Sequence, residues 1–121
     1  MKQDRAVSLL VGVRTAIGVA SWTTPRLAGK LFGLDADANP QSPYLARLFG
    51  VRDVALGWGV LSTEGEARKQ WLMVGIACDL FDALAGIAGG RGGYLSKPTS
   101  VLVSGTAVSA VALGVAALSD E

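Results

Sequence analysis

The sequence predicts an all-α protein, a four-helix transmembrane bundle with a short interfacial helix between its first and second spans. Three observations lead there. Half of the 121 residues are hydrophobic and 17% are charged, with a mean hydropathy of +0.42, on the lipid-soluble side of ordinary globular composition. The apolar residues gather into four runs, 6–22, 43–61, 70–89 and 98–118, close to the roughly 20 residues that cross a hydrocarbon core of about 30 Å. Tryptophan and tyrosine stand at the ends of these runs and not in their middles. With antiparallel helices, Trp22, Tyr44 and Tyr94 share one side and Trp58 and Trp71 the other, as interfacial belts do. The chain, 1–121, reads as a single domain.

The first run follows Lys2 and Arg5, an opening also found in signal peptides. Arg14 interrupts its hydrophobic stretch and no small-residue cleavage site follows, so the run is expected to be a retained span. Thr24-Pro25 then reads as a helix start and Gly33 as its stop, with Leu27, Leu31 and Leu34 along one side and Arg26 and Lys30 four residues apart. This is the pattern of a short amphipathic helix in the headgroup region. A polar stretch, 35–42, leads into the second run. The charged connection 64–69 leads into the third, and the glycine-rich stretch 89–93 reads as a tight loop before the fourth. The fourth run carries no charge from Pro98 through Ser119; a water-soluble helix of that length would show a polar face. Lys2, Arg5, Arg68 and Lys69 fall on the side of the termini, and Arg26, Lys30, Arg91 and Lys97 on the other. Four against four leaves the orientation unresolved by the positive-inside rule.

The charges inside the runs carry the functional reading. Arg14 is the central residue of the first run, Arg52 of the second, with Asp53 beside it, and Asp79 and Asp82 lie near the centre of the third. One ionised residue at the centre of a lone helix costs about 2.5–3.5 kcal/mol, so these five are expected to neutralise one another in a midplane network, with Arg47 as a peripheral member. Helical spacing agrees. Gly75, Asp79, Asp82, Gly86 and Gly89 form one stripe, Arg14, Gly18 and Ser21 a second, and Gly50, Asp53 and Gly57 a third, with Arg52 about 100° away. Small residues on the charged faces would let backbones approach closely. A similar stripe on the fourth run, Gly105, Ser109, Ala112 and Ala116, is expected to pack inward as well.

Several chemistries are excluded. There is no histidine and one cysteine, Cys78, which removes intramolecular disulfides and the usual Cys/His zinc sites. Cys78 has no neighbouring base and reads as a small packing residue. Basic residues are scattered at a net charge of +1, so no stripe tracks a nucleic-acid backbone. Neither catalytic residues nor a metal site nor a cofactor are expected. Gly12-Val13-Arg14 with Gly18 is echoed by Gly50-Val51-Arg52 with Gly57; a true duplication would make the first two spans inverted copies.

The run 46–53, Ala-Arg-Leu-Phe-Gly-Val-Arg-Asp, followed by Gly57, resembles the second-helix motif of small four-helix bacterial membrane proteins of unknown function, of actinobacterial type. Arg14, the segment 25–34, Asp79 and Asp82 fit the same pattern. A looser similarity joins the chain to DoxX-like membrane proteins, which also carry an arginine in the first helix. The resemblance implies a multi-pass protein of the bacterial cytoplasmic membrane and no reaction. Two functions are weighed. The first is a non-catalytic accessory or scaffold subunit, whose partners are the lipid bilayer and a second copy or another membrane protein. The other is a proton- or ion-coupled small-molecule transporter working as a homo-oligomer, in which the aspartates exchange protons and Arg14 and Arg52 hold an anionic group. Small multidrug exporters have a glutamate where this chain has Arg14, which argues against a cationic cargo.

Overall fold

Proline and glycine punctuate the chain into five helices, α1 (Lys2–Thr23), α2 (Pro25–Leu31), α3 (Ser42–Leu61), α4 (Gly65–Gly92) and α5 (Lys97–Ser119). The computed structural model describes residues 2–119, and side chains from residue 5 onward; the side chain of Lys2, counted above among the terminal charges, lies outside the described residues. No strand occurs among the described residues. Three helices are long and apolar enough to cross a membrane: α1 over Arg5–Thr23, α4 and α5. The other long helix, α3, carries Arg47, Arg52 and Asp53 within its 20 residues.

Local chemistry explains the boundaries. Pro25 disfavours helical backbone at the residue before it, and Thr24 sits at φ −132°, ψ 63°, which breaks α1 from α2. At the end of α2, Gly33 turns to φ 85°. Its N–H donates to Lys30 and that of Leu34 donates to Gly29, both at 2.9 Å, the paired closure of a Schellman motif. A Cβ at Gly33 would also collide with the Thr99 side chain, so glycine is needed there twice over. Three residues join α3 to α4, and Arg68 holds the corner by donating through Nε to the Val60 and Thr63 carbonyls at 3.1 and 2.9 Å. Ser96 Oγ accepts the Thr99 N–H at 3.3 Å and caps α5.

Two boundary expectations change. Most of the charged connection 64–69 is the first turn of α4, and the glycines of 89–93 are helical up to Gly92, with only Gly93 turning, at φ 80°. The reason is close packing on α5. Ser100 Oγ donates to the Gly86 carbonyl at 2.8 Å, and a Cβ at Gly86 or Gly90 would strike Ser104 or Ser100. These glycines are interface residues.

α1 packs on α3 and α5, and α4 packs on α5 and, more lightly, on α3. Among the described residues, α1 makes no backbone-level contact with α4, nor α3 with α5. The four long helices therefore form a ring with two open diagonals. Neighbours run antiparallel. On α1 and α3, Gly18 lies over Gly50 while Gly57 faces Arg14 and Val11, and a Cβ on Gly50 would stand 2.6 Å from the Gly18 carbonyl oxygen. On α4 and α5, Gly86 meets Ser104 while Gly114 meets Ile76. At the end of the ring that holds the chain termini, Ala6, Val7, Leu10, Val60, Leu72 and Ala117 close into an apolar core.

The expected inward stripe on the last helix is corrected. Gly105, Ser109, Ala112 and Ala116 are exposed, and α5 buries Thr99, Ala107, Gly114 and Ala117 instead. Small residues surround this helix, so spacing offered no unique face; Ile76 of α4, filling the notch at Gly114, selects one. The internal echo also fails to place equivalent residues alike, since Gly12 faces open space and Gly50 lies in the tightest crossing of α1 and α3.

Candidate functional site: a charged layer beneath a cavity

Arg14 sits near the middle of α1 on the stripe it shares with Gly18 and Ser21, all three buried. Its guanidinium crosses the open diagonal to α4. Nη2 donates to Asp79 Oδ2 at 2.5 Å and Nη1 to Asp79 Oδ1 at 3.2 Å, while Nη1 also donates to Asp53 Oδ1 of α3 at 3.0 Å. Arg14, Asp53 and Asp79 are each 4% exposed. Burial at that level is tolerable only when opposite charges and hydrogen bonds compensate. A planar fork that serves two carboxylates is arginine geometry that a lysine does not provide. Gly75, one turn before Asp79, makes the room, because a Cβ there would lie 2.9 Å from Arg14 Nη2.

A second pair lies beside the first. Arg52 of α3 donates through Nη1 and Nη2 to Asp82 Oδ1 and Oδ2 at 3.1 and 2.5 Å, about one-third exposed on each side. Its guanidinium lies over the Phe49 ring, 4.9 Å from the centroid. The five residues expected to form the network thus divide into Arg14 with Asp53 and Asp79, and Arg52 with Asp82. Arg47 joins neither group. Its Nε donates to the Trp22 carbonyl at 3.0 Å and its guanidinium stands 5.9 Å from the Trp22 ring centroid, so it closes the end of α1 where the sequence could equally have sent it toward the acids.

Above and beside the charged layer the open diagonals leave a cavity of about 550 Å³, which reaches Leu10 of the apolar core. Arg14, Asp53, Asp79 and Asp82 line it at one end; its walls are mainly aliphatic and aromatic side chains such as Ile17, Phe49 and Leu113, with Ala28 and Phe32 of the α2 region across the other end. This volume lies within the range of small-molecule sites. Sequence reasoning located the charged stripes but not the cavity. Its lining pairs residues of diagonal helices, Ile17 of α1 with Ala85 of α4 and Phe49 of α3 with Ala107 of α5, whose backbones do not meet, and no one-dimensional period encodes such a gap. Among the described residues no three His, Cys, Asp or Glu side chains are grouped as a metal ion would require.

No family model matches the chain, nor does any curated protein or solved structure match it.

Proposed function

We propose that this chain is a four-span integral membrane protein that binds a small amphipathic molecule between its helices and carries it in a proton-coupled manner. In this reading α3 crosses the bilayer with α1, α4 and α5, its charges compensated by Arg14 and Asp82. The short helix α2 lies in the headgroup region, with Leu27 and Leu31 exposed toward lipid. The setting is the bacterial cytoplasmic membrane, as the sequence resemblance implies. The observation that carries the proposal is the cavity, because its apolar walls would take the body of a ligand and end at Arg14, Asp53 and Asp79, where a polar head would be recognised.

An accessory or scaffold subunit would use the ion pairs only to hold helix register and has no use for the cavity. The two readings separate on a native mass spectrum of the protein released from mild detergent. The ligand reading expects a small molecule retained by the parent and lost in Ala107→Phe, which fills the cavity from α5. A stoichiometric protein partner, with no small molecule in either variant, would overturn it.

A further inference from the structure

The cavity is electrically lopsided. One guanidinium, Arg14, and three carboxylates, Asp53, Asp79 and Asp82, line it. Arg52 neutralises Asp82 from outside the lining, which leaves Arg14 as the counter-charge for both Asp53 and Asp79. Among the described residues no further cation pairs with either carboxylate. On α1, Arg14 is the one ionisable residue between Arg5 and the helix end, and α5 has none from Pro98 to Ser119. Arg47 of α3 is turned to Trp22, Arg26 pairs with Asp37, and Lys30 is exposed. On α4 the remaining titratable neighbour is Cys78. With Arg14, Arg52, Asp53, Asp79 and Asp82 all ionised, the layer holds one uncompensated negative charge in surroundings of low dielectric.

The acceptors are unequal. Both oxygens of Asp79 are engaged by the Arg14 fork. Asp53 accepts through Oδ1, and no described residue donates to its Oδ2, although the side chain is only 5% exposed. Asp53 lines the cavity, and a ligand bound there can supply the missing donor.

We infer that the ligand is a hydrophobic monocation, an organic ammonium or a chemical equivalent, which binds at Asp53 in exchange for one proton. The inference rests on the ligand-binding reading above and adds the sign of the charge and its counter-ion. In the empty site one proton resides on the Asp53–Asp79 pair and the layer is neutral. When the cation arrives it takes that proton's place and the proton leaves to water, so the layer is neutral in both states. Arg14, which read alone argues against a cationic cargo, is already committed to two carboxylates.

Tetraphenylphosphonium and tetraphenylborate, nearly equal in shape and opposite in charge, test this on the full chain in zwitterionic nanodiscs, with empty nanodiscs as the background. The cation should bind saturably and at least about tenfold tighter than the anion. Its affinity should fall by up to about tenfold for each unit the pH is lowered where the pair is protonated, with one proton released per cation in weakly buffered solution. Asp53→Asn should abolish both the preference and the proton release while the Arg14–Asp79 fork is retained. Equal or tighter binding of tetraphenylborate would overturn the assigned sign and leave the cavity reading standing. Saturable binding of the cation without proton release would overturn the exchange. Saturable binding of neither probe would overturn the ligand-binding reading as well. If Asp53→Asn does not fold, the two-probe comparison and the proton count on the parent chain decide.

Discussion

At Arg14 one side chain carries the compensation for two buried carboxylates, so its removal leaves both without a counter-charge. Breaking a buried pair on one side costs about 3–5 kcal/mol, and Arg14→Ala is expected to lose about that much in reversible unfolding by denaturing detergent. Arg52→Ala should cost less, since its pair with Asp82 is about one-third exposed. Unfolding curves that coincide for Arg14→Ala and the parent would refute the pairing. The glycines divide as sharply. Gly50→Val places atoms against the Gly18 carbonyl and the Trp22 backbone, and prying α1 from α3 is expected to cost at least about 1–3 kcal/mol. Gly12→Ala, with nothing within 4 Å, should be neutral or stabilise by up to about 1 kcal/mol, because alanine is the better helix former. The same assay reads both signs. Arg14, Asp53, Asp79 and the inward Gly18 and Gly50 were legible as helical stripes, whereas the division of the charges into two groups was not, since spacing along a helix says nothing about which neighbour a long side chain reaches.

The decisive element is α3. It holds three charged residues in 20, and each central one costs about 2.5–3.5 kcal/mol to insert alone, so under the proposed four-span reading its place in the bilayer would have to come from Arg14 and Asp82 on neighbouring helices. In a glycosylation-reporter insertion assay the isolated segment 42–61 should pass through the membrane without stopping, while the same segment within the full chain should integrate. Arg52→Leu with Asp53→Leu should restore insertion of the isolated segment. Efficient integration of the unaltered isolated segment would show that the neighbours are not required. The element α4 makes a complementary point. Its 28 residues span about 42 Å, longer than the hydrocarbon core, because glycines that read as a loop continue the helix against α5.

For the whole molecule, four spans put both termini on one side of the membrane, and three would put them on opposite sides. Reporter fusions or cysteine labelling at the two ends should therefore report the same compartment in any one molecule. Opposite compartments would exclude α3 as a span and with it the midplane layer. The ring also explains why a ligand-sized space exists in so short a chain. Helices that pack only with ring neighbours leave their diagonals to side chains, and on one side of the charged layer those side chains do not fill the gap, whereas on the other Val7, Val60 and Leu72 do.

By itself the sequence determined the helices, their inward charged faces and most of their ends, because hydrophobic run length, helical period, proline and glycine all act within a few residues of one another. Gly33 and Pro25 needed no tertiary context to be read as boundaries. Tertiary structure alone decided that Arg47 turns to Trp22, that Gly89 to Gly92 stay helical, that α5 shows Gly105 and Ala112 outward, and that a cavity lies above Asp53. Each of these depends on which helix lies opposite, a relation between residues distant in the chain, and the close approach of backbones at Gly18 and Gly50 or at Gly86 and Ser104 is what settles it.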